Sequence, residues 1–142
     1  MAKQLNVFLD NRPGRLNNLT EVLFKEKINI RAITLQDRQE FGLIKLLVDN
    51  PQKACASLKE KGFACAIKDI IAILMDDTPG GLNKLTEILS KNSVNIVDAY
   101  GFVIESSKQA VFCLEIKDPE KTKEILKKEG IKFFSDQELY EL

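Results

Sequence analysis

Histidine is absent from the 142-residue sequence, and with it the side chain most often used as a general base near neutral pH. No serine or cysteine therefore has an imidazole to activate it. Cysteine is scarce: Cys55, Cys65 and Cys113 form neither a Cys-x-x-Cys metal knuckle nor a paired framework. They read as small buried hydrophobes, reduced thiols of a cytoplasmic protein. Net charge is also missing, because 21 Lys plus Arg balance 21 Asp plus Glu. A nucleic-acid binder ordinarily carries a basic excess to neutralise phosphates, so no nucleic-acid partner is expected. Near-neutrality favours self-association instead. No apolar run approaches the roughly 20 residues that span a bilayer. Met1-Ala2-Lys3-Gln4 passes straight into strand-like sequence, without the apolar region and cleavage site of a signal peptide. These absences argue against an enzyme, a metal or cofactor site, and a membrane protein. Carboxylates are plentiful, but Asp76-Asp77 as an acid–base pair, or an all-oxygen cation site, has nothing else to support it.

Hydrophobic residues make up 44% of the chain and charged residues 30%, enough for a real core. The dominant feature is an internal repeat. Asp10-Asn11-Arg12-Pro13-Gly14-Arg15-Leu16-Asn17-Asn18-Leu19-Thr20-Glu21 recurs 66 positions later as Asp76-Asp77-Thr78-Pro79-Gly80-Gly81-Leu82-Asn83-Lys84-Leu85-Thr86-Glu87. Leu23 then matches Leu89, Lys25 matches Lys91, and Asn29-Ile30 matches Asn95-Ile96. Asn50-Pro51 matches Asp118-Pro119 at an offset of 68, so the second copy gained two residues in its central hairpin. The copies are assigned to residues 1–69 and 70–142.

Each copy reads strand, helix, strand, strand, helix, strand. In the first, Gln4 to Asp10 is a short apolar strand. Pro13 suits a first helical turn, where a missing N–H goes unnoticed. Leu16, Leu19, Val22 and Leu23 share one helical face, and Lys25 to Lys27 closes the helix. Ile28 to Gln36 and Phe41 to Val48 are strands around a polar hairpin. Asn50-Pro51 caps a second helix that Gly62 ends, and Phe63 to Ile67 is the fourth strand. The second copy repeats this with strands at 70–76, 94–105, 108–117 and 131–134 and helices from Pro79 and Pro119, with Leu82, Leu85, Ile88 and Leu89 turned inward. Ser135-Asp136-Gln137-Glu138 resembles a helix start and adds a short turn. The fold class is therefore α+β: two tandem ferredoxin-like βαββαβ units, each an antiparallel sheet with helices on one face. Phe8, Val111 and Cys113 are placed on the opposite face, which needs a neighbour. No Gly/Pro/Ser-rich linker separates the copies, so a rigid fusion is expected. Units of roughly 70 residues are marginal alone, and a homodimer is expected.

Chemistry concentrates where strand passes into helix, at Asp-x-x-Pro-Gly-x-Leu-x-x-Leu. The first N–H groups of a helix lack internal partners and favour an anion, and glycine lets a ligand approach the backbone. The same pattern also makes a compact entry turn, so the motif alone leaves both readings open. Asn29 and Asn95 either offer donor and acceptor groups to an amino acid or are ordinary helix C-terminal residues.

The element order, with Pro-Gly-x-Leu-x-x-Leu-Thr-Glu-x-Leu followed by Asn-Ile, resembles the ACT domain, once per copy. The tandem arrangement is similar to small stand-alone two-ACT-domain proteins and, more distantly, to acetolactate synthase small subunits. The resemblance implies a regulatory module that binds an amino acid at domain interfaces and modulates a metabolic enzyme. It places the ligand at Asn11, Arg12, Pro13, Gly14, Arg15 and Leu16 with Asn29 and Ile30. In the second copy it points to Asp77, Thr78, Pro79, Gly80, Gly81 and Leu82 with Asn95 and Ile96. Arg12 and Arg15 bring charge that suits a carboxylate, whereas Asp76 and Asp77 attract an ammonium. Two alternatives stand beside this reading. One is a ligand-independent interaction subunit of an enzyme. The other is an RNA-binding module of the same element order, for which Tyr100 and Phe102 are the only aromatic hint.

Overall fold

The computed structural model describes all 142 residues. They group into two compact units: Lys3–Lys68 with Glu141, and Asp69–Tyr140 with Met1, Ala2 and Leu142. In the first unit, β1 (Ala2–Leu9), α1 (Arg15–Lys25), β2 (Ile30–Asp37), β3 (Gly42–Val48), α2 (Pro51–Glu60) and the start of β4 (Ala64–Asp76) follow in order. The strand order is β2-β3-β1-β4, with β1 and β2 both antiparallel to β3. Alternation along β1 sends Leu5, Val7 and Leu9 into a core shared with Leu19 and Leu23 of α1 and Leu58 of α2. Phe8 faces the other way and stacks at a tilt on Phe41, ring centroids 5.7 Å apart.

The second unit repeats the plan with the rest of β4, α3 (Gly81–Lys91), β5 (Ile96–Glu105), β6 (Gln109–Ile116), α4 (Pro119–Lys128) and β7 (Lys132–Phe133). Its order is β7-β4-β6-β5. Ile71 and Ile73 of β4, Leu85 and Leu89 of α3, and Leu126 of α4 form its core. Val111 and Cys113 lie on the alternate face of β6 and are buried. The strands expected at 63–67 and 70–76 are one strand, β4, because no turn residue interrupts Ala64–Asp76. The tail forms α5 (Asp136–Tyr140), entered through a capping box: Ser135 N–H donates to Glu138 Oε2 (2.8 Å) and Glu138 N–H donates to Ser135 Oγ (3.2 Å).

Two expectations are corrected. The helices start at Arg15 and Gly81, two residues after the prolines. Pro13 and Pro79 instead occupy the second position of a tight turn. In addition, Leu16 and Leu82 share the inward face but stay 39% and 43% exposed. Each lies in the first helical turn, outside the cores that take in Leu19, Leu23, Leu85 and Leu89.

All four main helices end alike. Ile28 N–H reaches back to the Leu23 carbonyl and Phe63 N–H to that of Leu58; Val94 and Ile131 do the same toward Leu89 and Leu126. This is the Schellman closure, which needs a left-handed residue just past the helix. Gly62 and Gly130 supply it at α2 and α4; Lys27 and Ser93 supply it at α1 and α3 with φ of 57° and 55°.

Candidate functional site

The strand-to-helix junctions are type II turns. Arg15 N–H donates to the Arg12 carbonyl (3.1 Å) and Gly81 N–H to the Thr78 carbonyl (3.0 Å). Proline at the second position fixes φ, and Gly14 and Gly80 take the left-handed third position at φ 91° and 86°. These glycines then serve as helix N-caps, so neither α1 nor α3 receives a side-chain cap. By contrast, Asn50 caps α2 by accepting from Lys53 N–H (3.1 Å), and Asp118 caps α4 by accepting from Lys121 N–H (3.2 Å). The Pro-Gly turns thus leave donors of the first helical turn open at the surface, beside exposed Asn11, Arg12, Pro13, Thr78 and Pro79.

The other half of the expected site lies elsewhere in each unit. Ile30 pairs with Val48, at the end of β3 remote from Gly42, and Gly42 is the residue beside Leu9 and the turn. The 11 residues of α1 put roughly 16 Å between its two ends. Within one unit, then, Asn29 and Ile30 do not meet the Pro-Gly turn, and Asn95 and Ile96 are separated from theirs in the same way. Neither Asn is a helix C-cap residue, since Lys27 and Ser93 hold the left-handed position. Asn29 N–H donates to Asp49 Oδ1 (3.1 Å) and its carbonyl accepts from Asp49 N–H (3.2 Å), which fixes the start of β2. Asn95 lines a shallow cleft of about 240 Å³ with Lys117, Asp118 and Lys121.

The two turns differ in chemistry. In the first unit Asp10 gathers both guanidiniums: Arg12 is in tight contact and Arg15 Nε lies 2.7 Å away. Arg15 also lies over the Phe63 ring, 4.5 Å from its centroid. The carboxyl of Asp10 is held below its ordinary value: desolvation is the largest single influence and opposes this, but a hydrogen bond from its own backbone and the charges of Arg12 and Arg15 together outweigh it. The cations expected to meet a ligand carboxylate are therefore already paired.

In the second unit Gly81 replaces Arg15, and a cleft of about 290 Å³ opens in the corresponding place, bounded by Asp76, Gly81, Lys84, Met75, Ile131 and Lys132. Asp77 is engaged otherwise: its Oδ2 accepts from Ser107 N–H (2.7 Å), tying the turn to the β5–β6 hairpin. Sequence reasoning missed Lys84 and Lys132; the contrast with Asn18 and Ala64 at the repeat offsets was the available signal. A larger groove of about 420 Å³ runs between α1 and α2, where Arg15, Val22 and Phe63 line it together with the mixed charges of Glu21, Glu26, Glu60, Lys25 and Lys61.

The buried titratable groups do not supply a nucleophile. Burial and then the neighbouring Cys55 push the Cys65 thiol up to about 12. Burial raises Cys113 to about 12 against a hydrogen bond from Tyr100. Burial, then Cys113, raises Tyr100 as well. These groups stay protonated at neutral pH. Tyr100 is half-buried with its hydroxyl engaged by Cys113, a poor platform for base stacking.

Two ferredoxin-like units, each entering its first helix through an uncapped Pro-Gly turn, define a tandem α+β module. The chain belongs to the ACT domain pair family, whose model matches residues 1–142. A protein of known crystal structure from Bacteroides thetaiotaomicron is 35% identical, with a TM-score of 0.92 over 99% of this chain and 96% of that one. The ligand-free regulatory subunit of aspartate kinase from Thermus thermophilus shares the fold at 15% identity, with a TM-score of 0.64 over 89% and 91% of the two chains. The corresponding subunit from Thermus flavus does so at 15% and 0.62, over 87% and 86%. No curated protein matches the sequence.

Proposed function

We propose that this chain is a regulatory module that binds an amino acid at its Pro-Gly turns and passes the occupancy to a metabolic enzyme, without catalysis of its own. The observation that carries the reading is the contrast in capping. α2 and α4 have side-chain caps, whereas α1 and α3, the helices after the Pro-Gly turns, have none. Open N–H donors at a helix start suit a carboxylate. The raised thiol and phenol values and the absence of histidine favour binding over chemistry. Regulatory subunits of aspartate kinase with the same fold make an enzyme partner reasonable.

The site residues proposed are Asn11 to Leu16 and Asp77 to Leu82. Asn29, Ile30, Asn95 and Ile96 are contributed from a second copy of the chain, since one unit keeps them apart. A ligand held this way acts by favouring one assembly state over another. Thermal-shift screening against the twenty amino acids, followed by calorimetry, tests the reading: one amino acid raises the melting temperature and binds saturably. Silence at millimolar concentrations of all twenty sinks it.

A second reading, a ligand-independent interaction subunit, draws on one observation. Phe24 on α1 is 80% exposed, and Ile33 and Leu35 on the edge strand β2 are also exposed. Co-purification of an enzyme that is lost on Phe24→Ser, with no amino-acid response, favours that reading.

A further inference from the structure

The two units differ most in charge at the corner where the first helix ends and the second begins. Glu26, Asp49, Lys53 and Ala54 of the first unit align there with Asn92, Lys117, Lys121 and Thr122 of the second. In the first unit the corner is closed by its own side chains. Lys53 Nζ donates to the Glu26 carbonyl (2.8 Å) and lies 3.4 Å from the Glu26 carboxylate. Asp49 Oδ1 accepts from Asn29 N–H (3.1 Å). Both acids are gone from the second unit. Asn92 replaces Glu26 and turns its side-chain amide onto the Ile88 carbonyl (2.9 Å), while Lys117 replaces Asp49. Lys121 has therefore lost its partner and gained a second ammonium beside a cleft of about 240 Å³. Both lysines are exposed, and neither is in an ion pair.

Thr122 adds an independent observation. It replaces Ala54, lines the same cleft and is only 3% exposed, yet its hydroxyl has no hydrogen-bond partner in the chain. The threonines of α1 and α3 behave otherwise: Thr20 and Thr86 each donate to the carbonyl three residues back, at 3.0 Å. A buried hydroxyl left unpaired is destabilising, and an acceptor in the cleft would remove that cost.

We infer that the second unit binds a small phosphate-class dianion in this cleft, held by Lys117 and Lys121, with the Thr122 hydroxyl donating to one of its oxygens. The positive end of the α4 dipole adds to the attraction. Asp118 is the one acid in the lining; its Oδ1 accepts from Lys121 N–H (3.2 Å), which turns its charge to the helix end. Two ammoniums against one carboxylate leave the cleft cationic in a chain of zero net charge. Ammonium groups act as point charges with rotating donors, which suits a tetrahedral oxyanion; the cleft has no guanidinium fork to grip a planar carboxylate. The cleft lies at the end of α3 away from the Pro-Gly turn, so this site does not rest on the amino-acid reading.

Amide NMR of the full chain, titrated at constant ionic strength with inorganic phosphate, glycerol 3-phosphate or acetate, tests it. Saturable shifts are expected at Lys117, Lys121 and Thr122 with at least one of the two phosphates and not with acetate; the tighter of the two distinguishes the free ion from a phosphorylated metabolite. Lys117→Asp, which restores the first unit's charge, is expected to weaken binding about tenfold, and Thr122→Ala, which restores the first unit's residue, about threefold. Cooperative melting of both variants shows that they fold; if Thr122→Ala does not, Lys117→Asp at the exposed position carries the test. Shifts as large with acetate, binding indifferent to Lys117→Asp, or no response at tens of millimolar of either phosphate overturns the inference.

Discussion

Gly80 and Gly81 are neighbours that resist substitution for different reasons. Gly80 has φ of 86° and open space around it, so alanine there meets only the left-handed backbone cost, about 1 kcal/mol. Gly81 has the space problem: its Cβ would collide with the Asp76 carbonyl. Gly81→Ala is expected to cost about 3 kcal/mol, at the upper end of overpacking, and urea unfolding of the two variants ranks them. Glu138 gives a pH signature. The backbone amide of Ser135, then its hydroxyl, hold the Glu138 carboxyl below its ordinary 4.5. A lowered folded value means the stabilisation is full above the ordinary carboxylate range and disappears as pH falls through the folded value. Amide-exchange protection of α5 is expected to fall on acidification from about pH 6 to about pH 3, and Glu138→Gln is expected to flatten that dependence. The sequence disclosed Ser135 and Glu138 as a pair because both halves of a capping box sit three residues apart. It could not disclose that Asp10 already holds Arg12 and Arg15, because side-chain pairing across a turn depends on where the turn aims them.

Among the elements, the helix ends were more legible than the helix starts. Gly62 and Gly130 announce their closures, whereas Lys27 and Ser93 adopt the same left-handed position without glycine. Replacing either by glycine removes the Cβ penalty and is expected to raise stability by about 1 kcal/mol, read as a higher urea midpoint at unchanged slope. Asn50→Ala removes a real cap and is expected to lower it by about 1 kcal/mol. Pro13 and Pro79 read as helix starts because proline fits there; the glycine that follows makes the type II turn win and delays each helix by two residues. The inward stripe of α1 was correct for Leu19 and Leu23. It failed for Leu16, since periodicity reports direction and not depth of burial. Leu23→Ala is accordingly expected to cost about 2–5 kcal/mol, and Leu16→Ala little.

For the whole molecule, the duplication made the fold legible: strand order, helix faces and hairpins all follow once two copies are aligned. The candidate site was legible only in part. The Pro-Gly turns announced themselves as motifs, but the cleft beside Gly81 depends on β7 pairing with β4, and a two-residue strand leaves almost no pattern. Nor did adjacency in the motif survive folding, since each Asn-Ile starts a strand at the end of the unit away from its turn. The proposed site joins them through a second copy; a mass in solution of two 16.0-kDa chains is expected, and a monomer at all ligand concentrations contradicts it. The central claim, that this is an amino-acid-binding module, is met most directly by amide NMR of the labelled full chain titrated with the twenty amino acids. The account expects saturable shifts for at least one of them, centred on the Pro-Gly turns at Asn11 to Leu16 and Asp77 to Leu82. A spectrum that no amino acid moves at millimolar concentration would contradict it.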